Sequence, residues 1–169
     1  MKTLDIVIPI YKSRLTLEAL INRLNEWVES GSGGYATRVI FVEDGSGDGT
    51  FDFLIGLKSQ INFSFEAIRL NRNYGQHTAI SVGLAGATAD IVAVMDDDLQ
   101  HDPFEISDLI DKMTESGADL VYGTYKEKQH NLVRNFASRM LKRITKSKTV
   151  DFSSVTSFKV MRSSVLTIL

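Results

Sequence analysis

No cysteine occurs among the 169 residues. That excludes a disulfide framework and any zinc site built on thiolates, and it fits a reducing compartment. The formal net charge is only -2, so bulk electrostatics offers nothing to a polyanion and no nucleic-acid partner is expected. The first residues, Met1-Lys2-Thr3-Leu4-Asp5, lack the apolar core and small-residue cleavage site of a signal peptide. No apolar run approaches the ~20 residues that span a bilayer. Repeats, low-complexity tracts and a domain linker are also missing. The expectation is one domain over residues 1–169, soluble and cytoplasmic, with a peripheral position at the cytoplasmic membrane face left open. Whether the natural chain continues past Leu169 into membrane helices is left open as well.

What is present is unevenly distributed. Residues 90–119 carry ten acidic side chains against one base, Lys112, whereas residues 128–150 carry seven basic side chains and no acid. Two distinct electrostatic surfaces follow from that division. Within the acidic part, the apolar stretch 91–95 empties directly into Asp96-Asp97-Asp98. If the strand stays extended through them, Asp96 and Asp98 point to one side and converge as a pair. Such a pair suits a hard divalent cation, Mg2+ or Mn2+, which keeps open positions for water and phosphate oxygens. Taken alone, the triplet reads more readily as a solvated acidic turn with Asp98 or Asp102 capping the next helix.

The periodicity alternates between strand and helix along the chain. Residues 4–10, 38–42, 65–70, 91–95, 119–123 and 156–161 read as strands. Helical spacing or capping appears at 14–29, 50–58, 76–87, 103–116 and 130–146, with a last helical turn at 163–168. Trp27, Phe63 and Phe65 read as core. This order predicts a three-layer α/β/α sandwich with a mostly parallel sheet. Ligands in such folds bind at the carboxyl ends of the strands. Four of those ends carry polar groups here: Tyr11-Lys12, Glu43-Asp44, Asn71-Arg72 and Asp96 to Asp98.

Several chemistries are excluded or disfavoured. The phosphate-binding Gly-Lys-Ser/Thr loop is absent, and Gly45-Ser46-Gly47-Asp48-Gly49 lacks the dinucleotide fingerprint spacing. Glu43 and Asp44 suit a different task, accepting hydrogen bonds from a base N–H or a ribose hydroxyl, although a turn and helix cap would use them equally well. His77, His101 and His130 are scattered, and none reads as a metal ligand.

The segments Val7-Ile8-Pro9-Ile10-Tyr11, Phe41-Val42-Glu43-Asp44-Gly45-Ser46 and Met95-Asp96-Asp97-Asp98-Leu99-Gln100 resemble the family 2 inverting glycosyltransferases of the GT-A fold. The stretch Leu70-Asn71-Arg72-Asn73-Tyr74-Gly75-Gln76-His77 is similar to the polyprenyl-phosphate sugar transferases, including dolichyl-phosphate mannose synthases and undecaprenyl-phosphate aminoarabinose transferases. This resemblance implies that Pro9, Tyr11, Glu43 and Asp44 line a nucleoside pocket, with Arg72 and the 73–75 turn shaping its side. It places Asp96 and Asp97 at the nucleotide sugar, Asp98 on the metal with Gln100 beside it, and Arg134 on a donor or acceptor phosphate. Three positions depart from the family pattern: Lys12-Ser13 stand where Asn-Glu is usual, Glu43 replaces an aspartate, and Tyr125 with Lys126 stands where an arginine is frequent.

The implied donor is a UDP- or GDP-sugar, the implied cofactor a divalent cation, and the implied acceptor a lipid phosphate used in cell-envelope glycan synthesis. A hydroxyl acceptor needs a general base, and after residue 127 the only acid is Asp151. A phosphate is already anionic near neutral pH and needs none. The 130–146 segment sets Val133, Phe136, Ala137, Met140, Leu141 and Ile144 on one stripe and basic residues elsewhere, a pattern that suits an anionic membrane surface or an ordinary packed helix. Transfer to a sugar hydroxyl and non-catalytic nucleotide-sugar binding remain alternatives. The sugar, the base and the oligomeric state stay open.

Overall fold

A computed structural model describes residues 2–124 and 155–166. Its six strands are β1 Thr3–Ile10, β2 Ala36–Glu43, β3 Ser64–Arg69, β4 Ile91–Val94, β5 Leu120–Thr124 and β6 Val155–Arg162. The helices are α1 Leu17–Glu29, α2 Thr50–Gly56, α3 Gln76–Ala85 and α4 Phe104–Ser116, and a helical turn, Ser163–Leu166, follows β6. The strands form one sheet in the order β3-β2-β1-β4-β6-β5. β1 pairs in parallel with β2 and β4, and β2 with β3, while β6 runs antiparallel to both β4 and β5. Strand order reverses between β1 and β4, which makes that junction the switch point of the sheet.

Alternation along the central strands builds a core on each face. Ile6, Ile8, Val39, Phe41, Ile91 and Ala93 meet α1, α2 and α4 through Leu20, Leu24, Leu54, Ile106 and Ile110. Val7, Ile40, Val42, Val92 and Val94 face the other way, toward Ala79 and Ile80 of α3. Strands buried on both faces read as continuous apolar runs, as these do. The second layer is close because Gly83 lies against β1: a Cβ there would come within 2.3 Å of Val7 Cγ1.

Several expected boundaries shift by a few residues, and two of these shifts bear on the site. Helix α1 begins at Leu17 rather than 14, because the Ser13 carbonyl takes the amides of Thr16 and Leu17 in a preceding turn. β4 ends at Val94, so the aspartate triplet lies beyond the strand on a bend, with Leu99 at φ 60°. The same-side argument for Asp96 and Asp98, which required an extended backbone, therefore has no basis here. The expected 130–146 helix, Arg134, Tyr125, Lys126 and Asp151 lie outside the described residues.

The end of the sheet opposite the loops is held by one buried ion pair. Asp5 accepts from Arg38 Nε at 2.9 Å and Nη2 at 2.7 Å, and from the amides of Thr88 at 2.7 Å and Ala89 at 3.1 Å. Burial pushes the Asp5 carboxyl up, but these donors outweigh it and hold it below the usual carboxylate range. A carboxyl depressed on folding stabilises fully above its unfolded value of about 3.9, and that stabilisation is lost as pH falls through the folded value. Asp5→Ala strands a guanidinium and two amides, and we expect a loss of about 3 kcal/mol, the lower end for breaking a buried pair because Arg38 keeps some solvent contact. Urea titration of the variant at neutral and acid pH checks both points: the deficit should shrink in acid, and an unchanged midpoint at neutral pH would refute the assignment.

Candidate functional site

Four loops at the carboxyl ends of β1, β2, β3 and β4 enclose a cavity of about 360 Å³ lined by Pro9, Ile10, Tyr11, Asp44, Asn73, Gly75, Gln76, Asp96, Asp97 and Asp98. Its size suits a small-molecule ligand, and it sits at the switch point.

The loops are tied to one another by side chains. Lys12 N donates to Ser46 Oγ at 2.8 Å, joining the β1 loop to the β2 loop. Asp44 accepts from Tyr74 N and Gly75 N, each at 2.8 Å, joining β2 to the turn after β3. Ser13 Oγ donates to Asp97 Oδ2, joining β1 to β4. Gln76 Nε2 donates to Asp96 Oδ1 at 2.6 Å from the start of α3, and Ser157 Oγ of β6 donates to Asp96 Oδ2.

The three aspartates therefore differ in what they have left to offer. Both Asp96 oxygens are engaged by neutral donors. Asp97 is pushed up by burial; hydrogen bonds from Ser13 and the Tyr11 amide pull against that, and the charge of Asp98 adds to it. Asp98 is exposed and accepts only from Gln100 N, at 3.0 Å, among the described residues. Among the described residues no group of three or more His, Cys, Asp or Glu could hold a metal ion by itself. The set still fits a divalent cation of the Mg2+ kind, which takes one or two carboxylates and completes its shell with water and phosphate oxygens. Asp98 has the lone pairs for that role.

Holding Asp97 ionised in this position works against folding. A carboxyl raised on folding begins to destabilise as pH passes its unfolded value, and the penalty is complete above the folded one. Asp97→Asn keeps an acceptor for Ser13 and removes the charge, so at neutral pH its melting temperature should exceed that of the parent chain. Calorimetric scans of both at pH 7 check this; a lower melting temperature would show that the carboxylate is favourable where it stands.

Other expected residues are distributed as follows. Pro9, Tyr11, Asp44, Asp96, Asp97 and Asp98 come together on the cavity wall. Glu43 does not: its side chain is 1% exposed, with Oε1 accepting from Ser46 N at 2.6 Å and Oε2 lying 3.8 Å from Arg69 Nε. Arg72 stacks its guanidinium over Tyr74 at 4.8 Å, outside the lining set. Gln100 and His77 are exposed, and neither lines the cavity. His101 is buried and stacks on Phe158, with centroids 4.5 Å apart. The sequence assigns no site role to Gln76, Ser157 or Lys159, and it marks Ser13 only as a departure from the family pattern. Lys159 is half-buried; burial lowers its ammonium pKa, and the nearby charge of Asp96 opposes that.

A family model described as Glycosyl transferase family 2 matches residues 5–165. Among solved structures, the chain resembles S. aureus TarS 1-349 in complex with UDP-GlcNAc, at 19% identity and TM-score 0.66, covering 99% of this chain and 47% of that one. It resembles the mannosyltransferase PcManGT from Pyrobaculum calidifontis in complex with GDP-Man and Mn2+, at 15% identity and TM-score 0.70, covering 98% and 46%. Glucosyl-3-phosphoglycerate synthase from Mycobacterium tuberculosis, in complex with Mg2+ and UDP, matches at 21% identity and TM-score 0.70, covering 99% and 59%. The chain thus spans about half the length of the solved structures it matches. At these identities the likeness establishes the fold, a GT-A-type α/β sandwich.

Proposed function

The chain belongs to glycosyl transferase family 2, and from that premise we propose that it moves a sugar, with inversion, from a nucleoside-diphosphate donor to the phosphate of a polyprenyl lipid at a membrane surface, in cell-envelope glycan synthesis. The observation that carries the donor half is the cavity at the switch point, where three consecutive carboxylates face Pro9, Tyr11 and Asp44. Tyr11 and Pro9 offer an apolar wall to the nucleoside, and Asn73 with the Gly75 backbone closes its other side. Asp44 acts mainly through the loop it holds, since both its oxygens already accept amides. A bound Mg2+ or Mn2+ would supply positive charge beside a leaving diphosphate, and Asp98, which among the described residues accepts only from Gln100 N, would hold it. Asp96, fixed by Gln76 and Ser157, orients the adjacent backbone.

The acceptor half rests on acid–base requirements. Attack by a sugar hydroxyl calls for a carboxylate or imidazole in reach of the incoming oxygen. β6, the strand that lies against β4 on the side away from β1, contains no acid along residues 155–166. A phosphate monoester arrives already ionised and asks only for positive charge and position.

Calorimetric titration with UDP and GDP, with and without Mn2+, tests the donor site. Metal-dependent binding of one nucleotide is expected, and it names the base; failure of both to bind would overturn the reading. Labelled donor is then offered with farnesyl phosphate and with free monosaccharides as acceptors. Label in the lipid phosphate is expected, and label only in a sugar would transfer the acceptor role to a hydroxyl.

A further inference from the structure

We infer that Lys159 is a phosphate-binding residue of this cleft: its ammonium receives a phosphate oxygen, from the donor diphosphate or from the acceptor phosphate, on the β6 side of Asp96. The inference rests on the functional reading above for its ligand and on the sheet topology for its geometry.

β6 returns antiparallel between β4 and β5, and this places Lys159 opposite Val94 on one side and Tyr122 on the other. Directly paired residues in antiparallel strands project to the same face, so Lys159 shares the face of Val94, which is the α3 face. Ser157, two residues earlier, projects to that face as well, and its hydroxyl reaches Asp96. Lys159 therefore stands beside the last turn of β4, on the opposite side of that strand from Pro9 and Tyr11.

The ammonium is poorly supplied with partners at that place. It carries three donors. Both Asp96 oxygens are occupied by Gln76 and Ser157, and no ion pair within 4.0 Å of Lys159 is present among the described residues. Nζ lies over the Tyr122 ring, 5.8 Å from its centroid, and the charge of Asp96 is nearby. A half-buried cation with unused donors is unfavourable unless an anion completes it. Four carboxylates line the adjoining cavity, at Asp44, Asp96, Asp97 and Asp98. A phosphorylated ligand entering such a wall needs fixed positive charge of the protein's own. Lys12 lies over Tyr11 on the nucleoside side and Arg72 over Tyr74 beyond β2. Among the described residues, Lys159 is the cation on the β4–β6 side at this end of the sheet, since Arg162 stands opposite Ile91 at the far end.

The test compares the full chain with Lys159→Met, which keeps the apolar stem, and Lys159→Arg, which keeps the charge. The first probe is inorganic pyrophosphate, followed by the resonance of 13C-dimethylated Lys159 and by calorimetry. A shift of that resonance, with roughly 10- to 100-fold weaker pyrophosphate binding in Lys159→Met, is the expected result for loss of one charge-assisted hydrogen bond. Recovery in Lys159→Arg is expected with it. UDP and GDP with Mn2+, and farnesyl phosphate, then separate the sources: weakened nucleotide binding assigns the contact to the donor, and weakened farnesyl phosphate binding with nucleotide affinity intact assigns it to the acceptor. A resonance that pyrophosphate does not move, or a Lys159→Met chain that binds all the probes like the parent, overturns the inference. A parent chain that binds pyrophosphate through Lys159 but neither nucleotide would instead remove the glycosyltransferase reading and keep the anion site, so the two failures are distinguishable. A lower melting temperature in Lys159→Met with unchanged binding would mark the residue as purely structural and refute its ligand role.

Discussion

Asp98→Ala is expected to reduce sugar transfer by roughly 100- to 1,000-fold, the scale of removing one electrostatic stabiliser of a developing charge, while its urea midpoint stays with the parent chain. The asymmetry follows from where Asp98 stands. It is exposed, it lies past the end of β4, and among the described residues it accepts only from the Gln100 amide, at 3.0 Å. Surface substitutions away from packed or buried polar features usually change stability by within about 0.5 kcal/mol. Asp96→Ala should behave differently, because Asp96 accepts from Gln76 and Ser157 and so joins α3 to β6; its loss should lower both stability and turnover. The informative quantity is the ratio of the two effects. Single-turnover rates at saturating Mn2+, measured beside denaturation curves, supply it. If Asp98→Ala turns over at the parent rate, the cation is not held by Asp98 and the role passes elsewhere on the cavity wall.

The contrast among these aspartates also marks where sequence reading stops. The strands and helices were legible because apolar periodicity decides them: Ile6, Ile8 and Val7 alternate between the two cores, and Leu17, Leu20, Ile21 and Leu24 recur on one face of α1. The positions of polar groups at strand ends were legible too, since topology alone sends the ends of β1, β2 and β4 to one edge. What a carboxylate does there is decided by the first donor to reach it, and that donor can lie far along the chain. Asp44 takes amides from Tyr74 and Gly75, and Glu43 takes the amide of Ser46 inside its own loop. For both carboxylates the sequence leaves a nucleoside contact and a turn or helix cap as equal readings. Ser157 and Lys159 are not legible in the sequence for a related reason. The strand containing them was expected at 156–161, but periodicity does not name a strand's neighbour, and only the antiparallel insertion beside β4 brings it to Asp96. Ser13 and Gln76 are single polar residues whose partners, Asp97 and Asp96, sit 84 and 20 positions away.

Because the cleft is built from loops that hold one another, its weakest point is where two backbones touch. Gly45 has φ 63°, and a Cβ there would lie 2.2 Å from the carbonyl carbon of Arg72 and 2.4 Å from its Cα. Neither atom belongs to a flexible side chain. Gly45→Ala must therefore push the β2 loop away from the β3 loop, and the same movement strains the hydrogen bonds by which Tyr74 N and Gly75 N hold Asp44 at the cavity wall. Gly47→Ala provides the control. Its φ is 68°, close to that of Gly45, but nothing lies within 4 Å of the added carbon. Both variants carry the left-handed backbone penalty of roughly 1–2 kcal/mol, and only Gly45→Ala carries the collision. We expect Gly45→Ala to be the less stable by a further ~1–3 kcal/mol, the range for overpacking, and to lose nucleotide binding, whereas Gly47→Ala keeps it. Denaturation curves and UDP or GDP titrations on the pair isolate the contact, since the shared strain cancels in the difference. Equal losses in the two variants would mean that the β3 loop yields at little expense, and that the cleft does not depend on the approach of Gly45 to Arg72.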